Sequence, residues 1–266
     1  MANAAPRAKG APQPGDSYVQ SFARGLEVIR TFNAQAPQQT LSEVAQRSGL
    51  TRAGARRILL TLQALGYVHT DGKLYRLTPR ILDLGFAYLS SMPIWNLAEP
   101  VMEALVAQVK ESCSAAVLDA TDIVYVLRVP THKIMSITLG VGSRLPAYCT
   151  SMGRVLLADL PDEELLARLK ASSRQAHTRH TVTDIDTLAA RVAQARRQGW
   201  CIVNQELEEG LISMAAPIMT AGGRAVAALN ISGQANRTSA RAMQDDLLPA
   251  LLEAARTVSR LLGQRP

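Results

Sequence analysis

No stretch of this sequence reaches the roughly 18 consecutive apolar residues of a transmembrane helix, so no membrane association is expected. Cysteine is scarce. Cys113, Cys149 and Cys201 lie far apart and form no C-x-x-C pair. A disulfide framework and a zinc site are therefore not expected, and a reducing cytoplasm is the natural compartment. Each thiol reads as a small buried hydrophobe. Catalytic signatures are missing as well: there is no G-x-S-x-G, no H-E-x-x-H and no glycine-rich phosphate loop. The chain is read as a non-enzyme without metal or cofactor. The opening "MANAAPRAKGAPQPGDS" has two basic residues and no apolar core, so residues 1–16 are expected to form a disordered tail and not a secretory signal. His132, His177 and His180 stand in polar surroundings and read as surface residues. Glu206, Glu208 and Glu209 read as a solvated loop.

What is present is positive charge, unevenly placed. Residues 1–92 hold 11 Lys/Arg against 5 Asp/Glu, and residues 93–266 hold 18 against 17. Nearly all of the formal net charge of +7 therefore lies in the first third. Such a local excess is either a solubilising surface or the footprint of a module that binds a polyanion. The placement of the arginines decides between the two.

Residues 18–32 carry Val19, Phe22, Ala23, Leu26, Val28 and Ile29, an amphipathic helical pattern. In "TLSEVAQRSGL", Thr40 and Glu43 have the spacing of a capping box, so a helix begins at Leu41, with Leu41, Val44 and Ala45 inward. Ser48-Gly49 is a stop and turn, and Thr51 can cap the next helix. That helix, "RAGARRILLTLQALGYV", repeats apolar residues at Ala55, Ile58, Leu59, Leu62 and Leu65. Two short helices joined by a glycine-containing turn read as a helix-turn-helix, whose second member presents its N-terminal residues to the major groove. Gly54 should weaken that helix by about 1 kcal/mol relative to alanine. Small residues at Ala53 and Gly54 would instead let it approach a duplex closely. Arg52, Arg56, Arg57 and Thr61 would meet phosphates or base edges. Leu60 also falls on this exposed side. Next, residues 67–70 and 73–77 alternate like strands about Asp71-Gly72, a hairpin turn signal, and read as a wing with Lys73 and Arg76 toward phosphate.

Thr78-Pro79 reads as a cap followed by proline at a helix start. The apolar stripe of residues 81–89 gives a linker helix with more apolar surface than an isolated spacer should expose, so packing against a second subunit is expected. From residue 94 on, helical and strand patterns mix. Helices are read at 97–109, 150–160, 161–171, 183–199 and 247–263. Strands are read at 115–120, 123–129, 134–141, 201–219 and 224–233. The predicted class is α+β, a sheet with helices packed on it. Within "ALNIS", Asn230 and Ser232 share one strand face, and Asn204 and Ser213 lie in the neighbouring strand region. These four either face water or line a cavity for a small polar ligand.

Over nearly its whole length the chain resembles the IclR family of transcriptional regulators, from "YVQSFARGLEVIRTF" through the final helix. "QSFARGLEVI", "DIVYVLRVPTHKIMSITLGVGSRLPAYCTSMGRVLLA" and "NQELEEGLISMAAPI" resemble the branch that regulates protocatechuate, p-hydroxybenzoate and β-ketoadipate catabolism. The resemblance implies a winged helix-turn-helix at 17–78, a linker helix at 79–92 and a GAF-like effector domain at 93–266. It implies operator DNA and a small aromatic or dicarboxylic acid as partners, in homodimers that associate into tetramers on DNA. It also implies effector contacts at Ser151, Met152, Ser213, Asn230 and Ser232, with Met152 bulkier than the small residue usual at that place. Whether Arg128 or Arg144 reaches the effector is left open, and Arg144, in a strand–loop context, reads as exposed. Two other readings differ in class. A redox enzyme built on Cys149 is disfavoured because no second cysteine or histidine lies near it in sequence. A purely architectural DNA-binding protein is disfavoured because the second domain is too large and too neutral to serve only for dimerisation.

Overall fold

The computed structural model describes residues 17–92, 94–131 and 139–264. They divide into two compact units, one ending at Met92 and one following it.

The first unit contains α1 (Gln20–Arg30), β1 (Gln39–Thr40), α2 (Leu41–Ser48), α3 (Arg52–Ala64), β2 (Val68–Thr70), β3 (Leu74–Leu77) and α4 (Leu82–Ser91). Local chemistry sets the helix ends. The Thr40 hydroxyl accepts from the Glu43 amide, and the Glu43 carboxylate accepts from the Thr40 amide, completing the expected capping box. Gly49 closes α2 at φ 67°, a left-handed conformation that costs glycine little. Thr51 Oγ1 then caps α3 by accepting from the Gly54 amide at 3.1 Å. The core of the unit includes Val28, Phe32, Val44, Ala45, Ala55, Leu59, Leu62 and Val68.

Leu65 does not join that core. The helix stops at Ala64, the apolar periodicity ends with it, and Leu65 is 52% exposed. The Asp71 carboxylate accepts from the amides of Lys73 and Leu74 and closes the hairpin. The hairpin gains a third strand that the sequence does not announce, because β1 is only two residues long; the order is β1-β3-β2. Thr78 departs from its expected capping role. Its hydroxyl donates to the carbonyl of Gly66 at 2.5 Å and makes no cap bond, and the chain enters α4 through a 3-10 turn. No residue of α4 is buried.

The second unit contains α5 (Ile94–Val109), β4 (Ser112–Asp119), β5 (Asp122–Val129), β6 (Arg144–Pro146), α6 (Ser151–Leu157), α7 (Asp162–Ala171) and α8 (Ile185–Gln198). It continues through β7 (Cys201–Asn204), β8 (Leu211–Met219), β9 (Ala225–Gln234), α9 (Ala240–Ala242), a π-helical turn at Met243–Leu247 and α10 (Leu248–Gly263). The strands form one antiparallel sheet in the order β6-β5-β4-β9-β8-β7. α6, α7 and α8 share a core with the residues of one sheet face, among them Ala116, Ala215 and Ala228. α5 and α10 pack against each other and against β4, β5, β8 and β9. α5 starts one turn before the expected residue 97 and carries Pro100 within it. Most of the strand expected at 134–141 lies outside the described residues. The single strand run expected at 201–219 is instead two strands, β7 and β8, parted by the loop that contains Glu206, whose buried ion pair with Arg154 takes that segment out of the sheet.

Two details of this unit shape its cavity. Gly153 in the first turn of α6 lies against the preceding 3-10 turn so closely that a Cβ there would stand 2.2 Å from the Ala147 carbonyl oxygen. On β5, the pairing with β4 slips by one residue between Ala115 and Ala116. Ser114 pairs with Arg128 and Ala116 with Tyr125, so Tyr125 and Arg128 share a face although they are three residues apart. Among the described residues no helix is long and apolar enough to cross a membrane.

Candidate functional sites: a basic helix and a polar cavity

In the first unit, α3 turns Ala55, Leu59 and Leu62 inward and leaves Arg52, Ala53, Arg56, Arg57 and Thr61 exposed. Among the described residues none of the three arginines forms an ion pair. Exposed cations without partners on the first turns of a capped helix can meet phosphate oxygens or base edges. Thr61 spends its hydroxyl on the Arg57 carbonyl at 3.0 Å. Gly54 has a local role as well: a Cβ there would stand 3.2 Å from Thr51 Oγ1, so glycine leaves the cap undisturbed. Lys73 and Arg76 are exposed on the hairpin.

The second unit contains a narrow cavity between the sheet and α6. Strand register builds its polar side. Ser213 on β8 pairs with Ser232 on β9, which pairs with Ser112 on β4. Asn230 on β9 pairs with Ser114 on β4, which pairs with Arg128 on β5. Two rows of polar side chains thus cross the sheet on one face, and all six line the cavity. Ser151 and Met152 cover it from the first turn of α6. Of the six residues expected at this site, five line the cavity. Asn204 is the correction: Val203 pairs with Ser213 and shares its face, so Asn204, one residue on, points away and is exposed.

Most of these groups already hold one another. Ser151 and Ser213 share a hydrogen bond of 2.9 Å. Asn230 accepts from the Ser114 amide at 3.0 Å and donates to the Ser232 hydroxyl at 2.9 Å. Glu206 overturns its reading as a solvated residue. It is 8% exposed and receives both terminal nitrogens of Arg154, at 2.7 and 2.6 Å, and the Val182 amide at 3.1 Å. Tyr125, Ser112 and Ser114 were missed, and of Arg128 and Arg144, which the sequence leaves open, it is Arg128 that lines the cavity. The Ser112/Ser114 alternation on a strand was a usable signal, while the slip that aligns Tyr125 with Arg128 was not readable. Arg144 is exposed and paired with Asp119 and Asp122.

Burial pushes the Cys149 thiol up to about 12, so almost no thiolate exists at neutral pH. Burial likewise pushes the Tyr125 phenol up to about 12, which keeps it neutral. The exposed His177 and His180 lie outside the cavity lining.

A winged helix-turn-helix with free arginines on its second helix, in one chain with a unit that encloses a polar cavity, defines a DNA-binding transcriptional regulator. Residues 21–72 match the IclR helix-turn-helix domain, and residues 86–260 match the domain described as bacterial transcriptional regulator IclR C-terminal. The chain belongs to the IclR family. It is 42% identical to the Pca regulon regulatory protein of Pseudomonas putida over 246 residues, covering 92% of this chain and 84% of that protein. Its fold matches the crystal structure of a transcriptional regulator from Rhodococcus sp. RHA1 with TM-score 0.82 and 51% identity, covering 92% of this chain and 98% of that one. It also matches an IclR homolog complexed with 4-hydroxybenzoate from Microbacterium hydrocarbonoxydans, with TM-score 0.78 and 26% identity, covering 91% and 98%.

Proposed function

We propose that this chain is a one-component regulator of aromatic-compound catabolism genes, acting in the cytoplasm on operator DNA and responding to a small carboxylate. p-Hydroxybenzoate, protocatechuate and β-ketoadipate are the first candidates. The observation that carries the reading is the cavity between the sheet and α6, lined by two cross-strand rows of polar residues. The 4-hydroxybenzoate bound to the Microbacterium homolog supports the same ligand class. In this reading Ser151, Met152, Ser213, Asn230 and Ser232 surround the effector. Arg52, Arg56 and Arg57, with Ala53, Gly54 and Thr61 allowing close approach, meet the major groove, and Lys73 and Arg76 meet phosphate from the wing. The functional division is 17–78 for DNA, 79–92 for the linker and 93–266 for the effector.

The protein works as a homodimer, with tetramers on DNA. Exposed apolar side chains support this: Val19 at the start of α1, Phe22 and Leu26 on it, and Leu82, Leu84 and Phe86 on α4 are each at least 41% exposed. Water-exposed apolar faces of that kind favour a second protein surface.

The test combines calorimetry of the full chain against the three acids with operator binding measured in their presence. One acid should bind saturably, raise the melting temperature and change operator affinity. At about 100 times its Kd it should stabilise the fold by about 2.7 kcal/mol. Absence of binding by all three acids would overturn the effector reading, and absence of specific DNA binding would overturn the regulator reading.

A further inference from the structure

We infer that the guanidinium of Arg128 takes the carboxylate of the effector, an inference that rests on the reading of the cavity as a carboxylate sensor. Among the described residues that line the cavity, only Arg128 and Glu206 carry charge. Glu206 is fully engaged by Arg154 and the Val182 amide. Arg128 has no carboxylate partner among the described residues, and the neighbouring residues 132–138 contain no Asp or Glu. Among the described residues one positive charge is therefore left uncompensated on a half-buried wall. By contrast, Arg144 is held by Asp119 and Asp122, and Arg168, Arg196 and Arg224 each have a carboxylate of their own.

The neutral groups point the same way. Asn230, Ser232, Ser151 and Ser213 hydrogen-bond with one another, and Thr150 donates to the Pro146 carbonyl. They can orient a ligand, but none brings charge to an anion that must leave water. A planar guanidinium does, and it donates two parallel hydrogen bonds to the oxygens of a carboxylate. The slip on β5 places Tyr125 on the same face. Its neutral phenol adds a donor and an aromatic surface beside the cation without repelling an anion.

The experiment titrates full-length parent, Arg128→Met, Arg128→Lys and Arg144→Met with 4-hydroxybenzoate, protocatechuate, β-ketoadipate and the neutral 4-hydroxybenzamide. For any acid the parent binds, Arg128→Met should weaken affinity about 10- to 100-fold, the loss expected for a charge-assisted bond. Arg128→Lys should fall between the two, and Arg144→Met should match the parent. If 4-hydroxybenzoate binds the parent, its preference over the amide should disappear in Arg128→Met. Parent-like acid affinity in Arg128→Met overturns the inference. So does an equal loss of acid and amide with a lowered melting temperature, which would mark a structural arginine. A parent that binds none of the acids removes the sensor reading itself, and Arg128 loses its role with it.

Discussion

Arg154 and Glu206, 52 residues apart in the chain, meet in a buried two-pronged ion pair, of which Glu206 also lines the cavity. Arg154 also donates from Nε to the Tyr148 carbonyl at 2.9 Å, and is itself only 2% exposed. The pair fixes α6 to the loop between β7 and β8. Removing one partner leaves a buried charge alone, which costs about 3–5 kcal/mol, whereas apolar replacement of both is far milder. Glu206→Ala should therefore lose about that much in denaturant unfolding, and the double variant Arg154→Met/Glu206→Leu should lose less. A double variant less stable than Glu206→Ala would show that the pair itself supplies the stability.

Glycine-to-alanine changes should have opposite signs at two helical positions. At Gly153 the new Cβ would stand 2.2 Å from the Ala147 carbonyl oxygen, a backbone atom that cannot swing aside. Gly153→Ala should destabilise by about 1–3 kcal/mol or more. At Gly85, on exposed α4, nothing lies within 4 Å. Gly85→Ala should stabilise by up to about 1 kcal/mol through helix propensity. Melting curves of the two variants check both signs.

On DNA, Arg56→Ala and Arg57→Ala should each weaken operator binding with little change in fold, since both side chains are exposed. A residue that reads guanine should give a loss of about 1–3 kcal/mol and relaxed specificity at one base pair. Lys73→Ala in the wing should weaken binding to all sequences and reduce the salt slope by about one unit. Binding unchanged in all three across a salt series would rule out this docking.

The α8 cap makes stability depend on pH. The Asp184 carboxylate accepts from the Thr187 hydroxyl and amide, at 2.7 and 2.8 Å, and these bonds hold it below the usual carboxylate range. A lowered folded-state value means the stabilisation is complete above the unfolded value, about 4, and is lost as pH falls through the lowered one. Asp184→Ala should therefore melt below the parent at neutral pH, and the gap should narrow in acid. A gap that stays constant down to about pH 2 would assign the difference to something other than this ionisation.

The sequence by itself determined what is local. The capping box of Thr40 and Glu43, the Thr51 cap and the Asp71-Gly72 hairpin each join residues two or three positions apart, so composition and spacing reveal them. The shared face of Asn230 and Ser232 follows from strand alternation in the same way. Whether that face meets water or a cavity was settled by α6, which covers it from some 80 residues earlier in the chain. Tertiary structure alone placed Asn204 outside, because the pairing of Val203 with Ser213 fixes which face of β7 looks inward. It alone buried Glu206, whose partner lies 52 residues away. It alone brought Tyr125 beside Arg128, since one slipped residue in the pairing of β5 with β4 inverts the alternation that a sequence pattern assumes.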